Sequence, residues 1–134
     1  MTPDDDGMRA LRLYDFLNCA ATAVSEAKLD HPATAQYAWR EARIAAAGAV
    51  TPGTRPDEAA EAILAVSDPD AGTPGCTDLW NALDAASFAV LALSGGQREL
   101  ASVVMPDAIA ASDALDHDLQ MAVLTLLAEA QALR

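Results

Sequence analysis

Apolar residues near the start of the chain recur every three or four positions, which is the period of an amphipathic α-helix. Over residues 8–29, one face of the predicted helix carries the apolar side chains Leu13, Phe16, Leu17, Ala20 and Val24. The opposite face carries Arg12, Asp15, Thr22 and Glu26. The pattern therefore predicts a helix with one buried face, preceded by a short acidic tail over residues 1–7.

Prolines, glycines and capping residues divide the rest of the chain into further helices. Asp30 can cap a second helix, and Pro32 is tolerated in its first turn. The sequence TRPD at Thr54–Asp57 has the spacing of a capping box and opens a third helix. The helices predicted after the first cover residues 32–49, 54–66, 78–94, 97–104 and 107–133.

The helix over residues 78–94 becomes apolar nearly all round after Asp84, as expected of a helix that its neighbours enclose. We therefore expect it to be the central helix of the bundle. A carboxylate in such a helix is costly unless it is hydrogen-bonded or lines a wet pocket. Asp84 is for that reason a candidate functional residue.

The last predicted helix, residues 107–133, would be about 40 Å long at about 1.5 Å per residue. That length exceeds what a compact domain of this size needs. Besides its core stripe, it carries a second apolar stripe made of Met121, Leu124, Ala128 and Ala132. A monomer would leave this stripe exposed, so the pattern predicts a homodimer.

Composition agrees with a helical chain. The protein has 134 residues, of which 52% are apolar and only 4% aromatic, and its many alanines favour closely packed helices over a sheet. The length suits one domain with a real hydrophobic core. We therefore predict an all-α bundle of five to six helices over residues 8–134, assembled as a homodimer.

The net charge of −12 excludes some partners and favours others. Nucleic acid and anionic membrane surfaces would be repelled, whereas a cationic peptide or small molecule would be attracted. The same charge could serve solubility alone. Neither a secretory signal nor an apolar run long enough for a membrane helix is present in the sequence, so we expect a cytoplasmic protein.

The two cysteines, Cys19 and Cys76, could form one bridge, but in a reducing cytosol we expect free thiols. Cys76 precedes the fourth helix, where the helix dipole would lower a thiol pKa. No nucleophile motif accompanies it, which favours a small buried residue at a helix start.

The segment DALDHDLQ, Asp113–Gln120, concentrates carboxylates around one of only two histidines. On a continuous helix, Asp113 and His117 would share a flank and could supply two metal ligands. Di-metal sites in helical bundles need paired Glu-x-x-His motifs, which this chain lacks. We therefore expect a solvated helix flank, with no metal and no cofactor.

Two short segments around the tryptophans are better candidates for a site. QYAWRE supplies Tyr37, Trp39 and Arg40 as ligand-binding candidates, and LWNALD supplies Trp80 and Asn81. Tryptophan and tyrosine offer a large rigid surface with a polar tip, which suits a ligand pocket. The alternative is that both tryptophans belong to the core. The candidate acids and bases are Asp84, Glu41 and His117.

In size, helical build, acidity and alanine-rich composition, the chain resembles the small helical proteins of cinnamycin-type lanthipeptide clusters, which form the lysinoalanine crosslink. The resemblance covers overall character and transfers no catalytic position. It implies a homodimer that binds a modified peptide and promotes addition of a lysine amine to dehydroalanine. The same residues also fit a non-catalytic helical binding module, or an immunity-type protein that blocks a basic partner.

Overall fold

The computed structural model of the chain describes residues 3–70 and 77–133, and every regular element in these two segments is an α-helix. The helices are α1 (Pro3–Lys28), α2 (Pro32–Ala49), α3 (Arg55–Ser67), α4 (Thr77–Ser94), α5 (Arg98–Ser112) and α6 (His117–Ala132). The predicted all-α bundle is confirmed. None of these six helices is both long and apolar enough to cross a membrane.

In the described residues, α1 contacts α2, α3, α4 and α6, and α6 contacts α1, α3, α4 and α5. The predicted apolar face of α1 lies in the core: Leu13, Phe16 and Leu17 are fully buried. The helix α3 packs on α6, and α5 packs on α4 and α6. The helix α4 contacts α1, α5 and α6 but neither α2 nor α3 in the described residues, so the expectation that α4 is the central helix is wrong.

The first helix begins earlier than its apolar pattern indicates. The backbone is helical from Pro3, so residues 3–7 belong to α1 and do not form the predicted tail. Proline suits the first position of a helix, because the amide that it lacks would have no partner there.

Asp30 ends α1, although the sequence suggests that it caps α2. Its φ of 61° is left-handed, and the amide of His31 donates to the Glu26 carbonyl at 2.9 Å. This bond across six residues is the pattern of a helix C-terminal cap. His31 occupies the N-cap position of α2, and its side chain makes no capping hydrogen bond there.

The helices α4 and α5 form an antiparallel hairpin across residues 95–97. Gly96 has a φ of 71°, which a side chain would strain. The amides of Gly96 and Gln97 donate to the carbonyls of Leu93 and Ala92, respectively. These bonds close the end of α4 and turn the chain directly into α5.

The predicted stop before Pro106 is wrong, since α5 continues through this proline to Ser112. Pro106 has no amide to donate to the carbonyl of Ser102, four residues earlier. Both residues are exposed, so water can bind the carbonyl that Pro106 leaves unpaired. A proline on the solvent side of a helix therefore costs less free energy than a buried proline would, and it need not end the helix.

The single long helix predicted over residues 107–133 is also wrong, because a turn over residues 113–116 separates α5 from α6. Asp116 is the N-cap of α6, and its Oδ1 accepts a hydrogen bond from the Leu119 amide at 3.0 Å. The length of a continuous helix consequently no longer supports the predicted homodimer. Of the second apolar stripe, Met121 is the one large side chain that is exposed.

Candidate functional site

The DALDHDLQ segment is the turn between α5 and α6. The Gln120 side chain donates across this turn to Asp113 Oδ1 at 2.7 Å, and Asp116 caps α6. His117 is exposed as the first residue of α6. Over residues 3–70 and 77–133, no group of three or more histidine, cysteine, aspartate or glutamate side chains is placed to hold a metal ion. Two of the three carboxylates of this segment, those of Asp113 and Asp116, accept hydrogen bonds that stabilise the turn.

The indole of Trp39, on α2, packs against α3. Its Nε1 donates to the Leu64 carbonyl at 2.9 Å, and the Arg43 guanidinium lies 5.7 Å from the ring centroid. Tyr37 and Arg40 are exposed on the same helix. Among the candidates in QYAWRE, the structure therefore gives Trp39 a packing contact and leaves Tyr37 and Arg40 on the surface.

Glu41 lies near the thiol of Cys19, on α1. Burial raises the pKa of this thiol above its ordinary value, and the negative charges of Asp15 and Glu41 raise it further. A thiol in such surroundings stays protonated at neutral pH and is a poor nucleophile. Cys76, the other cysteine, lies outside the described residues.

The two tryptophan segments do not form one site. In the part of the chain that the structure describes, α2 contacts α1 and α3 but not α4, α5 or α6. Trp39 and Glu41 are therefore on a different side of the bundle from Trp80 and Asp84. His117 is the first residue of α6, and the first turn of this helix borders a pocket together with Asp78 and Leu79 at the start of α4.

The helix α4 presents an exposed stripe that contains all three candidates from LWNALD. The stripe runs through Trp80, Asn81, Asp84, Phe88 and Leu91. Asp84 is half-buried, whereas Phe88 is 56% exposed. The expectation that neighbouring helices enclose α4 is wrong, because its apolar residues extend onto its solvent side.

The helix α5, which packs on α4, also carries exposed apolar side chains. Leu100 and Val103 are 47% and 62% exposed, respectively. Because the hairpin is antiparallel, residues equally distant from its turn lie at the same level, which places Leu91 level with Leu100 and Phe88 near the level of Val103. We call this surface the α4–α5 face; it comprises Trp80, Asp84, Phe88, Leu91, Leu100 and Val103.

Basic side chains are unevenly distributed between the two described segments, although their net charges are similar. Residues 77–133 contain eight carboxylates and one basic side chain that is always charged, Arg98. The helices α4 and α5 together contain one basic residue, Arg98, and four of these carboxylates, which belong to Asp78, Asp84, Glu99 and Asp107. An apolar surface on acidic helices is therefore available to a partner of opposite charge.

One of the cavities in the described residues is lined by a candidate residue. A cavity of about 570 Å³ lies where α1 begins and α4 and α6 end, and none of the candidates lines it. A smaller cavity of about 220 Å³ lies between the end of α1 and the start of α4, and Trp80 lines it. At its edge, Lys28 Nζ donates to Thr77 Oγ1 at 2.6 Å. Trp80 thus borders both this cavity and the exposed stripe.

No family model, curated protein or solved structure matches this chain. A functional proposal therefore depends on the geometry of the α4–α5 face. Sequence reasoning identified Trp80, Asn81 and Asp84 but assigned the apolar residues after them to the core. The signal that could have found Phe88 and Leu91 is the absence of a polar side on α4 after Asp84.

Proposed function

We propose that the protein is a non-catalytic binding module that docks a cationic amphipathic helix of a partner on its α4–α5 face. The observation that carries the proposal is that exposed apolar side chains and an excess of carboxylates occur on the same two helices. An amphipathic helix laid along such a surface buries its apolar side and presents its basic side to the acidic surroundings.

The exposed apolar side chains and the carboxylates of the α4–α5 face together favour a foreign partner over a second copy of the chain. Burial of a large apolar side chain on binding contributes about 1.5 to 3 kcal/mol if it becomes complete. A second copy would bring the same carboxylates against those of the first, and like charges across an interface oppose association. A basic helix gains from the apolar contact and from the charge.

The placement of the candidate acids and bases favours binding over bond formation. Addition of a lysine amine to dehydroalanine needs a base and a proton donor positioned at one substrate. Glu41 lies on α2, which within the described segments contacts neither α4, the helix of Asp84, nor α6, the helix of His117. A binding role needs no such convergence.

The proposal can be tested with a synthetic amphipathic peptide of leucine and lysine, as long as the 18 residues of α4. Titration calorimetry should show binding by this peptide and much weaker binding by a scrambled peptide of the same composition. A leucine and glutamate peptide with the same pattern should not bind, because its charge matches that of the protein.

The chain offers a matched pair of variants for the location of the site. Val103 on the α4–α5 face and Ile44 on α2 are each 62% exposed, and both are β-branched. We expect V103S to weaken peptide binding about three- to tenfold and I44S to leave it within about twofold. Equal effects of the two changes, or equal binding of the scrambled peptide, would contradict the proposal. Crosslinking of a dehydrated lysine peptide by the protein would favour an enzyme instead.

A further inference from the structure

We infer that Asp84, with Trp80 and Phe88 on either side, forms a recognition site for one arginine side chain of the docked helix. This inference rests on the proposed function, because it specifies which side chain of the partner the α4–α5 face recognises. It names the chemistry of one position within a surface that is otherwise apolar.

The spacing of the three residues puts the carboxylate between two aromatic rings. Trp80 lies four residues before Asp84 and Phe88 lies four residues after it, and side chains at this spacing are neighbours on a helix surface. Trp80 and Phe88 are 37% and 56% exposed, respectively, so both rings can be reached from solvent. The three side chains therefore line one continuous track along α4.

The carboxylate is available to a cation from outside the chain. Over the described residues, ion pairs join Arg9 to Glu129 and His31 to Glu26, and Asp84 takes part in neither. Asp84 accepts a hydrogen bond from Ser87 Oγ at 2.7 Å through its backbone carbonyl, and over residues 3–70 and 77–133 no hydrogen bond reaches its carboxylate. Asp84 is also the single charged residue of α4 after its first turn.

Arginine fits this site better than lysine does. Its planar guanidinium can donate two parallel hydrogen bonds to one carboxylate and can also stack on an aromatic face. An ammonium can pair with the carboxylate but cannot stack as a plane. Cation–π contact with the two rings adds to the charge interaction.

A double-mutant cycle tests the pairing directly. The amphipathic peptide is made with one arginine at the centre of its apolar face, and with citrulline, which is neutral and nearly isosteric, in its place. For the natural protein, we expect citrulline to weaken binding about five- to tenfold. With D84N, the two peptides should bind within about twofold of each other. E58Q, which removes an exposed carboxylate on α3, should retain the full difference.

The aromatic part of the site is tested by F88L, which keeps apolar surface and removes the ring. This change should reduce the preference for arginine over lysine at the central position. If citrulline reduces the affinity for D84N as much as the affinity for the natural protein, the arginine site is refuted. In that case V103S can still show that the helix docks on the α4–α5 face. If V103S has no more effect than I44S, the docking proposal itself fails.

Discussion

At the scale of single residues, the two tryptophans have different roles although their sequence surroundings look alike. Trp39 donates its indole N–H to the Leu64 carbonyl, whereas Trp80 lies on an exposed stripe. W39F should therefore lower the free energy of unfolding by about 1 kcal/mol, because the hydrogen bond from the indole is lost while the Leu64 carbonyl keeps the one from the Asp68 amide. Urea unfolding measures this change.

The control for this prediction is W80F, which should leave stability nearly unchanged because Trp80 is solvent-exposed. Equal destabilisation by the two changes would contradict the packing role given to Trp39. The sequence could place both tryptophans within one turn of polar residues, but it could not show that the Leu64 carbonyl on α3 is within reach of Trp39. That contact depends on how α3 packs against α2.

At the scale of elements, the periodic patterns predicted the helices well and their ends less well. The core face of α1 and the bounds of α2 follow from spacing, and Thr54 caps α3 as predicted by accepting from the Asp57 amide. The errors occur where a local signal was given the wrong weight. The motif around Pro106 predicts a stop, but this proline is exposed and α5 continues through it; the pattern around Asp116 predicts a helix interior, but Asp116 caps the start of α6.

The cap at Asp116 leads to a prediction whose sign separates the two interpretations. If Asp116 caps α6, D116A should lower the free energy of unfolding by about 1 kcal/mol. In a continuous helix the same change would raise it, because alanine is the better helix former. Thermal or urea unfolding supplies the measurement.

D116N serves as the control, since asparagine caps a helix about as well as aspartate. It should retain most of the stability that D116A loses. A gain in stability with D116A would contradict the turn between α5 and α6. Equal losses in the two variants would indicate that the charge of Asp116, and not its cap, stabilises α6.

At the scale of the whole molecule, the candidate site could be predicted only in part. Sequence spacing identified Trp80, Asn81 and Asp84, and net charge indicated a cationic ligand. It could not tell an apolar helix that is enclosed from one that turns an apolar side to solvent, because that depends on which neighbours cover α4. Leu100 and Val103 were missed for the same reason.

The acidity of the whole chain leads to a prediction about salt that separates a basic partner from a second copy. The Debye length falls from about 30 Å at 0.01 M salt to about 8 Å at 0.15 M, so attraction to a cationic peptide should weaken over this range. We expect the affinity of the leucine and lysine peptide to fall about tenfold or more. Titration calorimetry at several salt concentrations checks this.

Self-association should respond in the opposite direction, because salt screens the repulsion between two chains that each carry a charge of −12. Light scattering over the same salt range therefore tests the predicted homodimer alongside peptide binding. If the measured mass rises with salt and L124E returns it to the mass of a monomer, the dimer interface lies on α6 and the α4–α5 face is free. A mass that responds to V103S instead would place the second copy on that face. Peptide affinity that does not fall with salt would refute the role of charge in docking.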